Sequence, residues 1–320
     1  MKKIFTSLLL VGAVVALVGC SGNTKSANDT KKSDTTTSSA PSTVSVTDSQ
    51  GDKVKVNYQP KKVVVFDNSM LDTMDALGVG KSVVGAPTKN LPTYLKQYKE
   101  VASAGGIKEP DLEKVNQMKP DLIIISGRQA DFKKDLSAIA PTIFLGVDNN
   151  NTWKSIESNI NTIAQIFGKQ AEAKKQLGEL NTSIASLKEK AKATGGKTLV
   201  TLVSEGSLSA FGEGSRFSIV YDTFGFDQAD TTIKKSTHGQ SVSYEYVLEK
   251  NPDILFVVDR TKAIGGDASK DNVAANDLVK ETNAAKNNKV ISLEPDVWYL
   301  AGSGLESLKL MMNDVSQAFK

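Results

Sequence analysis

The chain is poor in the residues that most often carry chemistry, with one cysteine, Cys20, and one histidine, His238, among 320 residues. A disulfide within the chain is therefore impossible, and a zinc or manganese carrier built on several histidines would have too few ligands. A hydrolase would have to rely on His238 alone, with neither a GxSxG elbow nor an HExxH helix to support it. Gly212-Glu213-Gly214 is too short for a nucleotide loop. Net charge is only +3 and is spread over many lysines, so no basic stripe of the nucleic-acid-binding kind stands out. Arginine is also scarce: of 39 basic residues only Arg128, Arg216 and Arg260 are arginine. Arginines serving solubility should scatter, yet two of these close apolar runs and the third follows a glycine-rich turn. Arginine offers a permanently charged, planar fork of donors to carboxylate, phosphate or phenolate-type oxygens. Three of them converging would make an anion site; three unrelated structural salt bridges are the alternative.

One stretch is written twice. Glu113 to Arg128, EKVNQMKPDLIIISGR, returns 132 residues later as Glu245 to Arg260, EYVLEKNPDILFVVDR. Each copy reads as a short amphipathic helix stopped by a proline, then an apolar run of buried-strand type, Leu122 to Ile125 and Ile254 to Val258. A helix feeding a fully apolar strand is half of a parallel α/β unit. Two such units, each with an arginine at the carboxyl end of its strand, predict two similar lobes with ligand-facing ends.

Residues 1–19 have a basic start, an apolar core and small residues before Cys20, which is a secretory signal rather than a spanning helix. LVGC resembles the bacterial lipobox, and that resemblance implies cleavage before Cys20 and a diacylglyceryl group on its sulfur. Residues 20–43, rich in Ser, Thr, Lys and Asp, cannot bury a core and predict a flexible tether. Residues 44–168 read as an amino-terminal α/β lobe: a hairpin from Thr43 to Gln59, strands at Lys61–Phe66, Ser82–Ala86 and Thr142–Leu145, a polar loop with Tyr94 and Tyr98, and a helix at Ala130–Ile139. Gly168 breaks a helical stretch, leaving 169–194 as one helix of about 37 Å at 1.5 Å per residue. It is either a rigid connector or an ordinary surface helix. Residues 195–320 read as a second α/β lobe. It starts with a strand at Thr198–Val203 and a glycine-spaced turn from Gly206 to Gly214. A helix opened by Arg216 follows, then His238 in a polar loop and a carboxyl-terminal helix from Leu305.

This order of parts resembles the iron-siderophore substrate-binding lipoproteins of ABC importers, and more narrowly the binders of petrobactin and other catecholates. The resemblance rests on the paired Pro-Asp motifs, Arg216 in GEGSRFS, His238 in THGQSVSYE and Tyr299 in DVWYLAG. It implies an α/β fold of two Rossmann-like lobes bridged by one long α-helix, the class III substrate-binding architecture, and no enzymatic activity. It further implies that Arg128, Arg216 and Arg260 hold an anionic ferric catecholate, and that His238 and Tyr299 bind its Fe(III) when a tetradentate siderophore leaves two coordination sites open. No intrinsic cofactor is expected, because the iron travels inside the ligand. Glu113 and Glu245 either dock on the permease subunits or serve as helix-start charges. The implied setting is a monomer, lipid-anchored through Cys20 on the outer face of a Gram-positive cell membrane. The alternatives are haem, a corrinoid or a hydroxamate siderophore as ligand, an extracellular hydrolase, or a structural lipoprotein.

Overall fold

The computed structural model describes residues 42–320. Cys20, the leader and the tether up to residue 41 lie outside the described residues. A two-stranded hairpin, β1 (Thr43–Thr47) and β2 (Lys53–Asn57), opens the fold and is tied to the first large sheet through Ser49 N–H, which donates to Phe144 O at 2.9 Å. That sheet contains β3 (Val63–Val65), β4 (Val83–Ala86), β5 (Ala102–Ser103), β6 (Leu122–Ile125) and β7 (Thr142–Phe144), all parallel, in the order β5-β4-β3-β6-β7. Its helices are α1 (Asn68–Ala76), α2 (Leu112–Met118), α3 (Lys133–Ser137) and α4 (Thr152–Phe167). α5 (Gln170–Thr194) then leads to the second sheet.

The second sheet has β8 (Lys197–Ser204), β9 (Ser207–Phe211), β10 (Asp227–Gln228), β11 (Gln240–Val242), β12 (Ile254–Asp259) and β13 (Val290–Leu293). Its order is β11-β9-β8-β12-β13, with β10 beside β8; β9 is antiparallel to both neighbours. The helices are α6 (Ile219–Asp222), α7 (Tyr244–Lys250), α8 (Arg260–Ala263), α9 (Asp277–Lys280), α10 (Asn283–Lys286), α11 (Pro295–Leu300) and α12 (Leu305–Val315). This is the α/β architecture expected, two mainly parallel sheets with one long helix between them.

Three local readings are corrected. Gly206 to Gly214 is not one turn but two reversals flanking β9. Glu205 and Gly206 both take positive φ, 52° and 81°, which is the tight hairpin geometry that matches strand twist. The helix expected over Ala130–Ile139 is a 3₁₀ turn, Gly127–Phe132, running into the short α3. The polar loop with Tyr94 and Tyr98 contains a 3₁₀ segment, Thr93–Glu100, held by Tyr98 Oη donating to Asp75 Oδ1 at 2.6 Å.

The repeated Pro-Asp motif has a structural cause visible in both sheets. α2 and α7 end on left-handed residues, Lys119 and Asn251, just before the prolines. Asp121 Oδ2 then accepts from Lys61 N and Lys62 N (2.9 and 3.0 Å), and Asp253 Oδ2 accepts from Lys197 N (2.9 Å). Each aspartate thereby pins the start of the central strand beside its own, setting the parallel register.

One apolar core runs through both sheets: Val65 and Ile124 from the first and Val200 and Phe256 from the second belong to a single cluster that includes faces of α1, α4, α5 and α12. Gly168, at φ 67°, separates α4 from α5 and lies so close to the Tyr58 hydroxyl that a Cβ would collide with it. Seven side chains of α5, from Ala173 to Ala191, form its buried stripe, and Gln176 Nε2 donates to Ala76 O of α1 at 3.0 Å. The closest seam between the halves lies where α1 meets α12. The carboxylate of Asp72, 1% exposed, accepts from the backbone N–H groups of Glu306 and Ser307 at 2.8 Å each and from Tyr94 Oη at 3.1 Å. It thus satisfies first-turn amides of a helix from the other half. A side chain at Gly304 would collide with that carboxylate.

Candidate functional site

The carboxyl ends of the two sheets flank a cavity of about 1120 Å³. β6 delivers Ser126, whose N–H donates to Gln129 Oε1 (3.0 Å) and whose hydroxyl donates to Asp67 Oδ2 (2.6 Å), and the 3₁₀ turn that follows carries Arg128 to the wall. Arg216 arrives from the segment before α6, where Ser215 is buried and its hydroxyl donates to Gly212 O. Arg260 opens α8 directly after β12, capped by Asp259, which accepts from Lys262 N at 2.8 Å.

All three arginines meet at Tyr299, near the end of α11. Its carbonyl accepts from Arg128 Nη2 at 2.7 Å and from Arg216 Nη2, while its hydroxyl accepts from Arg260 Nε at 2.9 Å. The guanidinium carbons lie 5.8 Å (Arg128), 4.4 Å (Arg216) and 5.7 Å (Arg260) from its ring centre. Arg260 also donates to Ser204 Oγ at 2.9 Å. Among the described residues, no carboxylate forms a salt bridge with any of them. Three like charges therefore crowd one ring, compensated by dipoles, by π electrons and, at Arg216, by the field of the Asp67 carboxylate rather than by a direct salt bridge. Burial, followed by repulsion from Arg128, lowers the Arg216 pKa to about 10, which still leaves it cationic at neutral pH. At Tyr299 burial acts to raise the phenol pKa, but the Arg260 hydrogen bond and the charges of Arg216, Arg260 and Arg128 outweigh it, and the net shift is downward.

His238 is exposed in the loop before β11 and lines the same cavity, where its imidazole makes no hydrogen bond to Tyr299 or to an arginine. Arg128, Arg216 and Tyr299 line the cavity, whereas Arg260 approaches from behind Tyr299 and is not on the wall. Glu113 and Glu245 are not on the cavity wall and are exposed in the first turns of α2 and α7. Hydrogen bonding to Ser243 lowers the Glu245 pKa. Sequence reasoning missed Lys108, Lys154, Phe217 and Trp298 on the wall. Trp298 is 2% exposed, with its Nε1 donating to Asp314 Oδ2 at 2.9 Å. Neither lysine carried a signal that set it apart from the others in the chain. Among the described residues there is no group of three or more histidine, cysteine or acidic side chains that could hold a metal ion.

Two α/β halves joined through one helix, with an anion-seeking cavity at the carboxyl ends of both sheets, define a solute-binding protein. The family model for periplasmic binding proteins matches residues 63–297, and the chain belongs to that family. It is similar to the petrobactin-binding protein YclQ of Bacillus subtilis, 44% identical over 326 residues that cover all of both chains. The crystal structure of that protein superposes with a TM-score of 0.85 at 46% identity, covering 87% of this chain and 99% of the other. The ferric-anguibactin-binding protein FatB of Vibrio anguillarum is 32% identical over 83% of this chain and 84% of its own. The periplasmic catecholate-siderophore binding protein VctP of Vibrio cholerae matches with a TM-score of 0.81 at 32% identity, covering 86% and 99% of the two chains.

Proposed function

We propose that this protein captures ferric catecholate siderophores outside the cell and delivers them to the permease of an ABC importer. The observation that carries the reading is the convergence of Arg128, Arg216 and Arg260 on Tyr299 with no direct salt bridge to a carboxylate among the described residues. Arg128 and Arg216, which line the cavity, each spend one of five N–H donors on the Tyr299 carbonyl, leaving others for a guest, while Arg260 spends two on Tyr299 and Ser204 behind the wall. Ferric catecholates are anionic and rich in oxygen acceptors, which suits such donors. Similarity along the whole chain to a petrobactin-binding protein supports the same class.

In this reading the arginines hold the catecholate oxygens, Arg260 partly through Tyr299. A tetradentate siderophore leaves two iron positions for the Tyr299 phenolate and for His238, whose loop would swing inward. The lowered phenol pKa favours the first of these, and the metal's own charge lowers it further. Residues 44–168 and 195–320 act as the two lobes, 169–194 as their connector, Glu113 and Glu245 as permease contacts, and lipid on Cys20 anchors the monomer at the outer face of the membrane.

Trp298 on the cavity wall makes tryptophan fluorescence the natural reporter. Ferric mono-, bis- and tris-catecholates should quench it saturably. Arg216→Ala should weaken binding by about 1 kcal/mol or more, roughly fivefold, as loss of a charged hydrogen bond does. His238→Ala should matter more for tetradentate than for hexadentate ligands. Quenching by ferric hydroxamates but not by ferric catecholates would overturn the ligand class.

A further inference from the structure

Arg216 sits in a short segment between β9 and α6, after Gly214, which takes φ 71°, and just before a helix of only four residues. Its guanidinium carbon nevertheless lies 4.4 Å from the Tyr299 ring centre and 5.6 Å from that of Phe217, contacts that a small backbone shift would lose. Such placement on a segment this short calls for a brace.

The brace is a set of hydroxyl groups that converge on Asp222. Gly214 N donates to Ser218 Oγ at 2.9 Å, and Ser218 Oγ donates to Asp222 Oδ2 at 2.8 Å. The same Oδ2 accepts from Thr152 Oγ1 at 2.8 Å, against 3.4 Å from that hydroxyl to Asn149 O. Asp222 Oδ1 accepts from Thr223 Oγ1 at 2.6 Å. Thr152 opens α4 in the other half of the molecule and lines the cavity. Thr152 and Ser218 are 5% and 1% exposed, so water does not readily replace the acceptor their hydroxyls share. Asp222 itself is off the cavity wall and forms no salt bridge among the described residues. Any effect it has on a guest must pass through its neighbours.

We propose that Asp222 is a positioning residue for Arg216: it braces the Arg216 turn against α4, so that the guanidinium is aimed into the cavity before a guest arrives. The inference rests on the catecholate reading and deepens it, because donors fixed in advance leave less ordering to be done on binding. The brace needs an acceptor at the Oδ2 position rather than a charge. Asparagine can place its amide oxygen there; alanine has nothing to offer the two hydroxyls.

Two measurements test this. The first is ultraviolet titration of the phenols, which needs no guest. Removing the Asp222 charge would by itself lower the Tyr299 pKa or leave it unchanged, whereas releasing Arg216 removes one of the charges that hold it down. Asp222→Ala should therefore raise the first phenol step by about half a pH unit, and Asp222→Asn should leave it in place. The second is affinity for a ferric bis-catecholate. Asp222→Ala should weaken it about fivefold when Arg216 is present but less than about twofold in an Arg216→Ala background. Asp222→Asn should stay within about twofold of wild type. Thr152→Val, similar in shape, should show the same pattern at about twofold and serves if Asp222→Ala does not fold. A phenol step that stays or falls in Asp222→Ala, an equal loss of affinity in both backgrounds, or an Asp222→Asn as weak as Asp222→Ala would overturn this inference and leave the catecholate reading standing. If wild type binds no ferric catecholate, that reading fails, and the phenol titration alone decides whether Asp222 holds Arg216.

Discussion

Tyr299 holds the charge balance of the site. Among tyrosines whose ionisation is displaced it alone moves down, since burial and neighbouring carboxylates push Tyr94, Tyr98, Tyr221, Tyr244 and Tyr246 up. An ultraviolet titration of the native protein should therefore begin with one phenol, and Tyr299→Phe should delete that first step. An unchanged onset in the variant would show that the guanidinium groups do not govern it. At this scale the sequence was legible where a residue type was rare. Three arginines in a lysine-rich chain could be counted and compared, and they do gather. Lys108 and Lys154 could not be singled out, because only three-dimensional placement separates them from lysines on open helices. The position of Arg260 behind the ring, rather than on the wall, also depends on the path of α11, which no local pattern encodes.

At the scale of elements, the repeat was readable because buried parallel strands are continuous apolar runs and a proline ends the helix before each. The aspartate beside each proline was visible as a match, but its job, holding the start of the neighbouring strand, was not. β9 was hidden because its five residues lie between glycines that suggest a single loop. The pairing of Asp72 with the start of α12 spans more than two hundred positions and has no sequence signature. Burial, only partly offset by its hydrogen bonds, raises the Asp72 pKa to about 6. The unfolded chain loses this proton near pH 3.8 while the folded protein keeps it to about 6, so stability from this group falls as pH rises across that window and is level above it. The unfolding free energy of wild type relative to Asp72→Asn should fall by roughly 2 kcal/mol from pH 4 to pH 6.5. A difference that stays flat over that range would show that Asp72 is ionised throughout.

For the whole molecule the decisive feature is the shared core. α1 and α12 pack across the seam, α5 bridges it, and Asn68 Nδ2 to Leu300 O (3.2 Å), Thr93 Oγ1 to Asp296 Oδ2 (2.8 Å) and Asn90 Nδ2 to Ile264 O (2.9 Å) add polar ties. Two halves joined this way should change little on loading. X-ray scattering with and without a ferric catecholate should show the radius of gyration moving by less than about 1 Å. A contraction of several ångströms would point to a hinge that this packing does not contain.

The common interior has one more consequence. Two copies of a motif suggest a carrier assembled from interchangeable modules, but cutting the chain between α5 and β8 would expose to water, on each fragment, the greasy side its counterpart now covers. Neither piece could live alone, so any graft that swaps specificity between relatives must be made loop by loop around the cavity rather than half by half.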